Sequence, residues 1–269
     1  MCYDISFKVQ LEEIKDYFPE IEIDEQLKLS WPQYEHVQGP ELFPKVPIVF
    51  HDKKDNKLRL RLMEWGVIRQ FEKEEPLTKN RNFNLNIMSE KIFDSKSYWY
   101  KIRNNRCLVP LTGTFEHRGI QGLVKKVPYL IKPKDQKVFF MPGLYTSPVI
   151  VDKSTGEAVT RYTWGMITRE PVINTVMRQI HNSSERGFRM AHYVPLELAK
   201  EFVSADLSED QYKTLLYYEM PKEDLEYYTV DTIRGSKPRK DGKPKYEPFE
   251  WVNLPPLGID TMNKQTKLL

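Results

Sequence analysis

The chain has no apolar run near the roughly 18 residues that a helical membrane span needs. Its start has no cationic stretch leading into an apolar one, so no secretory signal is expected. Cysteine is scarce. Only Cys2 and Cys107 occur, which argues against a disulfide scaffold. No Cys-x-x-Cys or His-x-x-x-His spacing appears, and the five histidines make no ligand set, so neither metal nor cofactor is expected. A strong charge of one sign is also missing. The balance of 41 Lys and Arg against 38 Asp and Glu leaves +3, a mild basic bias that does not by itself indicate nucleic acid. No linker stands out, because the 19 prolines are scattered through the chain. These absences lead to the expectation of a cytoplasmic, reducing location with no membrane partner.

The 269 residues are 40% hydrophobic and 12% aromatic, enough for one large domain with a real core. Helical spacing of Val9, Leu11, Ile14 and Phe18 predicts a helix over 9–18. Alternation of charged and apolar residues predicts a strand over 57–68, ending near Trp65-Gly66. Further strands are expected over 106–115, broken by Gly113, and over 137–144 and 158–168. Pro171 and Pro195 each suit a first helical position, predicting helices over 171–180 and 195–203. Ser208 with Gln211 forms a capping-box pattern at the head of a helix over 208–218. Strands and helices without a βαβ rhythm indicate an α+β fold. Glu64-Trp65-Gly66-Val67-Ile68 and Thr163-Trp164-Gly165-Met166-Ile167 echo each other faintly, too weakly to argue for duplication.

Four positions could carry chemistry. Loss of Met1 would leave Cys2 as a 1,2-aminothiol, whose amine and thiol together close a thiazolidine ring on an aldehyde. Both groups titrate near neutrality, at roughly 8 and 8.5. Glu116 follows an apolar strand and a Gly turn; it is either a proton-exchanging carboxylate at a strand mouth or an ordinary surface acid. His181 ends a helix, where it serves as a proton shuttle or simply as a cap. Asn86 sits among apolar neighbours and could fix a substrate oxygen. Cys107 reads as core. Residues 232–246 hold Arg234, Lys237, Arg239, Lys240, Lys243 and Lys245 against one acid, Asp241, and form either a phosphate-contacting loop or a solvated one.

In order along the chain, Met1-Cys2, Val46-Pro47, Trp65-Gly66, Asn86 through Glu90, Arg106-Cys107-Leu108 through Gly113 and Glu116, Gly143-Leu144, Ile180-His181 and Arg189-Met190 resemble the SOS-response-associated peptidase (SRAP) family. The resemblance runs from Met1 to about Glu250. It implies a single SRAP-like domain over 1–250 with a mostly antiparallel sheet or barrel core flanked by helices, a tail over 251–269, and a monomer. It further implies that the protein binds single-stranded DNA containing abasic sites, crosslinks to them through a Cys2 thiazolidine after autoproteolytic loss of Met1, and has an associated lyase activity. By matching positions, Asn86 holds the amino terminus or a sugar oxygen, Glu116 moves protons, and His181 assists opening of the sugar ring.

Some positions depart from the family pattern. Tyr3-Asp4 replaces Gly-Arg, Met88 replaces an Arg, and Ala191 replaces a Pro, while 183–188 is extra. Asp4 is expected to repel DNA. Arg186, Arg189, Arg234, Lys237, Arg239 and Lys240 are candidates to restore phosphate contacts, and Trp65 to stack on a base or else to lie in the core. Two other classes compete: a cysteine hydrolase using Cys2, His181 and Glu116, and a non-catalytic single-strand binder.

Overall fold

The stretch 106–115, expected to be one strand broken by Gly113, shows how the protein is built. In the computed structural model it is two strands, Arg106–Leu111 and Gly113–Arg118, that belong to different sheets. Thr112 makes the corner. Its backbone N–H donates to Ser6 O at 3.0 Å, and its hydroxyl bonds the Ser6 hydroxyl at 3.0 Å. The structure describes residues 2–40, 42–72, 79–182, 187–235 and 237–262.

The elements run β1 (Asp4–Phe7), α1 (Leu11–Tyr17), β2 (Glu22–Ile23), α2 (Glu25–Leu29), β3 (Tyr34–Gln38), β4 (Lys45–Asp52), β5 (Lys57–Trp65), β6 (Asn86–Met88), α3 (Tyr98–Ile102), β7 (Arg106–Leu111) and β8 (Gly113–Arg118). They continue with β9 (Val127–Pro133), β10 (Phe139–Thr146), β11 (Val149–Val151), β12 (Ala158–Thr160), β13 (Thr163–Arg169), α4 (Thr175–Ile180), β14 (Met190–Ala191), α5 (Leu196–Val203), α6 (Glu209–Tyr217) and β15 (Leu225–Thr229). The fold is α+β.

One sheet has the order β15-β9-β8-β1-β3, antiparallel throughout. The other runs β14-β13-β10-β7-β4-β5-β2, and β13 also pairs with β5. That extra pairing closes β13, β10, β7, β4 and β5 into a ring. The closing seam is parallel, with Thr163 opposite Glu64 and Trp164 opposite Trp65. The sequence echo is therefore a seam: the two Trp-Gly segments lie side by side. Their indoles stack with centroids 5.2 Å apart and planes 7° from parallel. Each indole N–H is satisfied by a carbonyl, that of Leu85 for Trp65 and of Met63 for Trp164. Glu64 locks the seam by accepting hydrogen bonds from Arg81 and Arg161 at 2.6–2.7 Å. Gly66 follows at φ +114, a conformation that only glycine adopts without strain. At Gly143 a Cβ would sit 2.7 Å from Gly165 O, so the close approach of β10 to β13 requires glycine there.

One core cluster fills the ring and the space under the first sheet, and includes Cys2, Ile5, Trp65, Cys107 and Trp164. A second lies between the ring's outer face and the helices, with Ile14, Leu27, Phe140, Phe202 and Leu215. Several elements differ from the sequence reading for local reasons. The expected strand over 158–168 is two, β12 and β13. Helix α4 starts at Thr175, not Pro171, because Asn174 caps it by accepting from Met177 N at 3.1 Å. Val172 lies before that helix and is exposed. Pro195 is the N-cap of α5 rather than its first residue. The capping box of Ser208 and Gln211 is present at α6. Residues 251–262, expected as the start of a tail, pack on the body. Trp251, Leu254, Leu257 and Met262 touch the first core cluster. The fully buried Arg118 donates to the carbonyls of Pro255, Pro256 and Ile259.

Candidate active site

Strand β1 lies between β3 and β8, with Asp4 opposite Phe115, so the residues before it run alongside Glu116. Cys2 is buried at 1% exposure. Its carbonyl accepts a 2.9 Å hydrogen bond from Asn86 Nδ2, and its thiol donates to Asp4 O at 3.6 Å. Asn86 is carried by β6, which is pinned parallel to β13 with Asn86 opposite Met166. Burial pushes the Cys2 thiol well above its usual range, and the negative charges of Glu116 and Asp4 push it further.

Glu116 is 3% exposed on β8. Its Oε2 accepts a 2.7 Å hydrogen bond from His181 Nδ1, and its Oε1 is buried with no protein partner. Burial alone would raise its pKa. The His181 charge and hydrogen bond outweigh burial and hold the carboxyl below its ordinary value. Asn86 Oδ1 is likewise buried and unpartnered. Two unfilled acceptors therefore belong to the two residues that hold or face Cys2. Buried acceptors without partners are rare and call for a donor.

His181 is the C-cap of α4 and hydrogen-bonds Met177 O through its backbone N–H at 2.9 Å. The loop ahead of α4 is anchored by Glu219, which accepts from the backbone N–H groups of Val172, Ile173 and Asn174 at 2.8–3.0 Å and from Arg169 at 2.9 Å. Tyr193, on the chain after β14, is 1% exposed, and its hydroxyl bonds Thr114 Oγ1. Thr114 is two residues from Glu116 on the same face of β8. Burial pushes the Tyr193 phenol well up, with the nearby Cys2 and Glu116 adding to the effect. No motif drew attention to Tyr193; an aromatic in an apolar run reads as core.

The positions considered for DNA contact divide. Trp65 is fully buried in the seam stack, so it presents no face to a base. Arg189 is 6% exposed and spent on both Glu90 oxygens and on Thr168 O, so it is not a phosphate contact. Arg239 is 5% exposed and folded into its own turn, bonded to Asp241 and to the carbonyls of Pro244, Glu247 and Pro248. Lys237 and Lys240 are exposed. Arg186 lies outside the described residues. Arg234 pairs bidentately with Asp4 at 2.6 and 3.0 Å, its side chain 46% exposed. Asp4 itself is 1% exposed and also bonded to His36 at 2.7 Å. Burial would raise its pKa, but His36 and Arg234 hold it below the usual carboxylate range. The expected repulsion of DNA by Asp4 is therefore corrected: its charge is inside and neutralised.

Among the described residues, no group of three His, Cys, Asp or Glu is arranged to hold a metal ion. No helix among them is long and apolar enough to cross a membrane.

Comparison with known proteins adds to this geometry. The abasic site processing protein YMR114C of Saccharomyces cerevisiae is 30% identical over 87 residues, 32% of this chain and 23% of that protein. The match thus spans under a quarter of the relative's length. A solved structure from Bacteroides thetaiotaomicron superposes with a TM-score of 0.70 at 26% identity, covering 92% of this chain and 97% of that one. One from Bordetella bronchiseptica gives 0.64 at 15% identity, covering 86% and 100%. The family described as SOS response associated peptidase (SRAP) matches residues 1–236. With the match running from the first residue through β15, the chain belongs to the SRAP family.

Proposed function

We propose that the protein processes abasic sites in single-stranded DNA by forming a thiazolidine crosslink through Cys2 after it has itself removed Met1. The observation that carries this reading is the pair of buried, unpartnered acceptors beside Cys2, Glu116 Oε1 and Asn86 Oδ1. A free α-amine on Cys2 and the hydroxyl of a carbinolamine are donors of the kind such acceptors take.

The chemistry follows from the charge states. The amine acts first, because the sulfur closes the ring only onto an iminium carbon. It adds to the open-chain aldehyde, and the carbinolamine loses water to give an iminium. The sulfur then adds to the iminium carbon while its proton leaves to Glu116, which is held ionised and ready to accept it. The net result joins aldehyde and aminothiol and releases one water. His181, bonded to Glu116, orients that carboxylate and passes protons during opening of the sugar ring. The iminium also acidifies the neighbouring C–H, which accounts for a lyase side reaction. Arg234, Lys237 and Lys240 are the surface cations offered to phosphates.

A thiolate-based hydrolase fits less well. Cysteine hydrolases need the thiol pKa lowered, and here burial and two acids raise it. The test is a denaturing-gel assay with processed protein, confirmed by intact mass, and single-stranded DNA bearing one abasic site. A shifted band that requires both Cys2 and the lesion is expected. A band that persists in Cys2→Ala, or none from processed protein at low salt, overturns the reading.

A further inference from the structure

Away from Cys2, three turns meet around a cavity of about 300 Å³: the β4–β5 turn, the turn entering β7, and the chain leaving α5. Its lining is polar at His51, Lys53, Asn56, Asn104 and Arg106 and apolar at Val203, Ala205 and Leu207. Among the described residues no acid lines it. The comparable cavity of about 360 Å³ by the ring seam sets Asp24 and Glu64 against Lys45, Arg61 and Arg161, and is close to balanced.

The two cations of the first cavity are held by neutral groups only. Arg106 donates from Nε to Phe202 O at 2.8 Å and from Nη2 to Ser204 O at 2.6 Å, which fixes the guanidinium plane. Lys53 Nζ donates to Asn105 Oδ1 at 2.8 Å. Other buried guanidiniums here face carboxylates: Arg81 faces Glu64, Arg169 faces Glu219, and Arg189 faces Glu90. The Lys53 ammonium is pushed down by burial and by Arg106, and the Arg106 guanidinium by burial, with no acid acting on either. A guanidinium fixed by two carbonyls, a lysine ammonium beside it and no counter-charge suit a phosphate oxyanion. The volume leaves room for a sugar beside it, in contact with the apolar lining residues.

We propose that this cavity binds the phosphate ester of a nucleotide. The same chemistry is presented by a free mononucleotide and by a backbone phosphate of a nucleic-acid strand. The test uses the full chain and three probes: inorganic phosphate, deoxythymidine monophosphate, and a fluorescein-labelled single-stranded thymidine oligonucleotide without lesions. Lys53→Ala removes an exposed cation. Arg106→Lys keeps a charge where full removal would free the end of α5. If the free nucleotide is the occupant, calorimetry finds it bound, and each variant weakens it about tenfold, with the oligonucleotide unaffected. If a strand phosphate is the occupant, oligonucleotide anisotropy falls in the variants, and the salt slope of binding drops by about one counterion. Crosslinking at saturating lesion-bearing DNA is unchanged either way. No binding of any probe, or binding unaltered in both folded variants, overturns the proposal.

Discussion

Asp4 shows why charge in a sequence is hard to place. It stands where the family has an arginine and reads as a repulsive surface acid. Its partner Arg234 lies 230 positions away, and only the folded sheet brings them together. Cys2, Asn86, Glu116 and His181 were marked as candidates by the short motifs around them, and the structure joins Asn86 to Cys2 and His181 to Glu116. Tyr193 was not, since its role depends on Thr114 from another strand. Its hydroxyl is bonded to Thr114 Oγ1, which makes it a positioning residue for Thr114 and β8. Tyr193→Phe removes one hydrogen bond, worth about 1 kcal/mol. The expected outcome is crosslink formation slowed roughly three- to tenfold with the pH midpoint of the reaction displaced. Single-turnover gel kinetics across pH checks this. A lowered melting temperature with an unmoved profile would make the hydroxyl purely structural.

Local signals survived best at the level of elements. The capping box at α6 depends on Ser208 and Gln211 alone, three residues apart, and was readable. At α4 the local signal is the Asn174 cap rather than Pro171, and the loop ahead of it is held by Glu219 from after α6, which no local pattern reveals. The same distance from local signals explains the strand expected over 106–115. Nothing near Thr112 announces that Ser6 will turn the corner with it. The Glu219 contacts support His181 at the far end of a six-residue helix. Glu219→Gln keeps the shape but removes the charge facing Arg169 and three backbone donors. Because the pair is buried, a stability loss of about 3 kcal/mol is expected. Urea unfolding measures that loss. Crosslinking should fall further than in a surface control such as Glu197→Gln, since His181 loses its anchor.

Across the whole molecule, the family match ends at residue 236, but the packed structure does not. The last described segment is strapped down by Arg118, two residues after Glu116. A chain ending at residue 250 leaves that guanidinium, 0% exposed in the full protein, without the carbonyls of Pro255, Pro256 and Ile259. The truncation should cost about 3 kcal/mol, read by urea unfolding. Arg118→Met, which removes the stranded charge, should recover part of that loss in the shortened chain. Equal stability of the full and shortened chains would show that the strap contributes nothing.

The seam that closes the ring has a consequence during synthesis. Trp65 leaves the ribosome about 100 residues ahead of Trp164, an interval on the order of 5–20 s at ordinary elongation rates. Through that interval β5 has its hairpin partner β4 but lacks the strand that will cover its end. An open strand edge invites pairing with other nascent chains. The earlier β2 already covers that edge at Arg59 and Leu60, so only the end at Glu64 and Trp65 waits for β13. While the ring is still incomplete, its exposure to neighbours is confined to that short end.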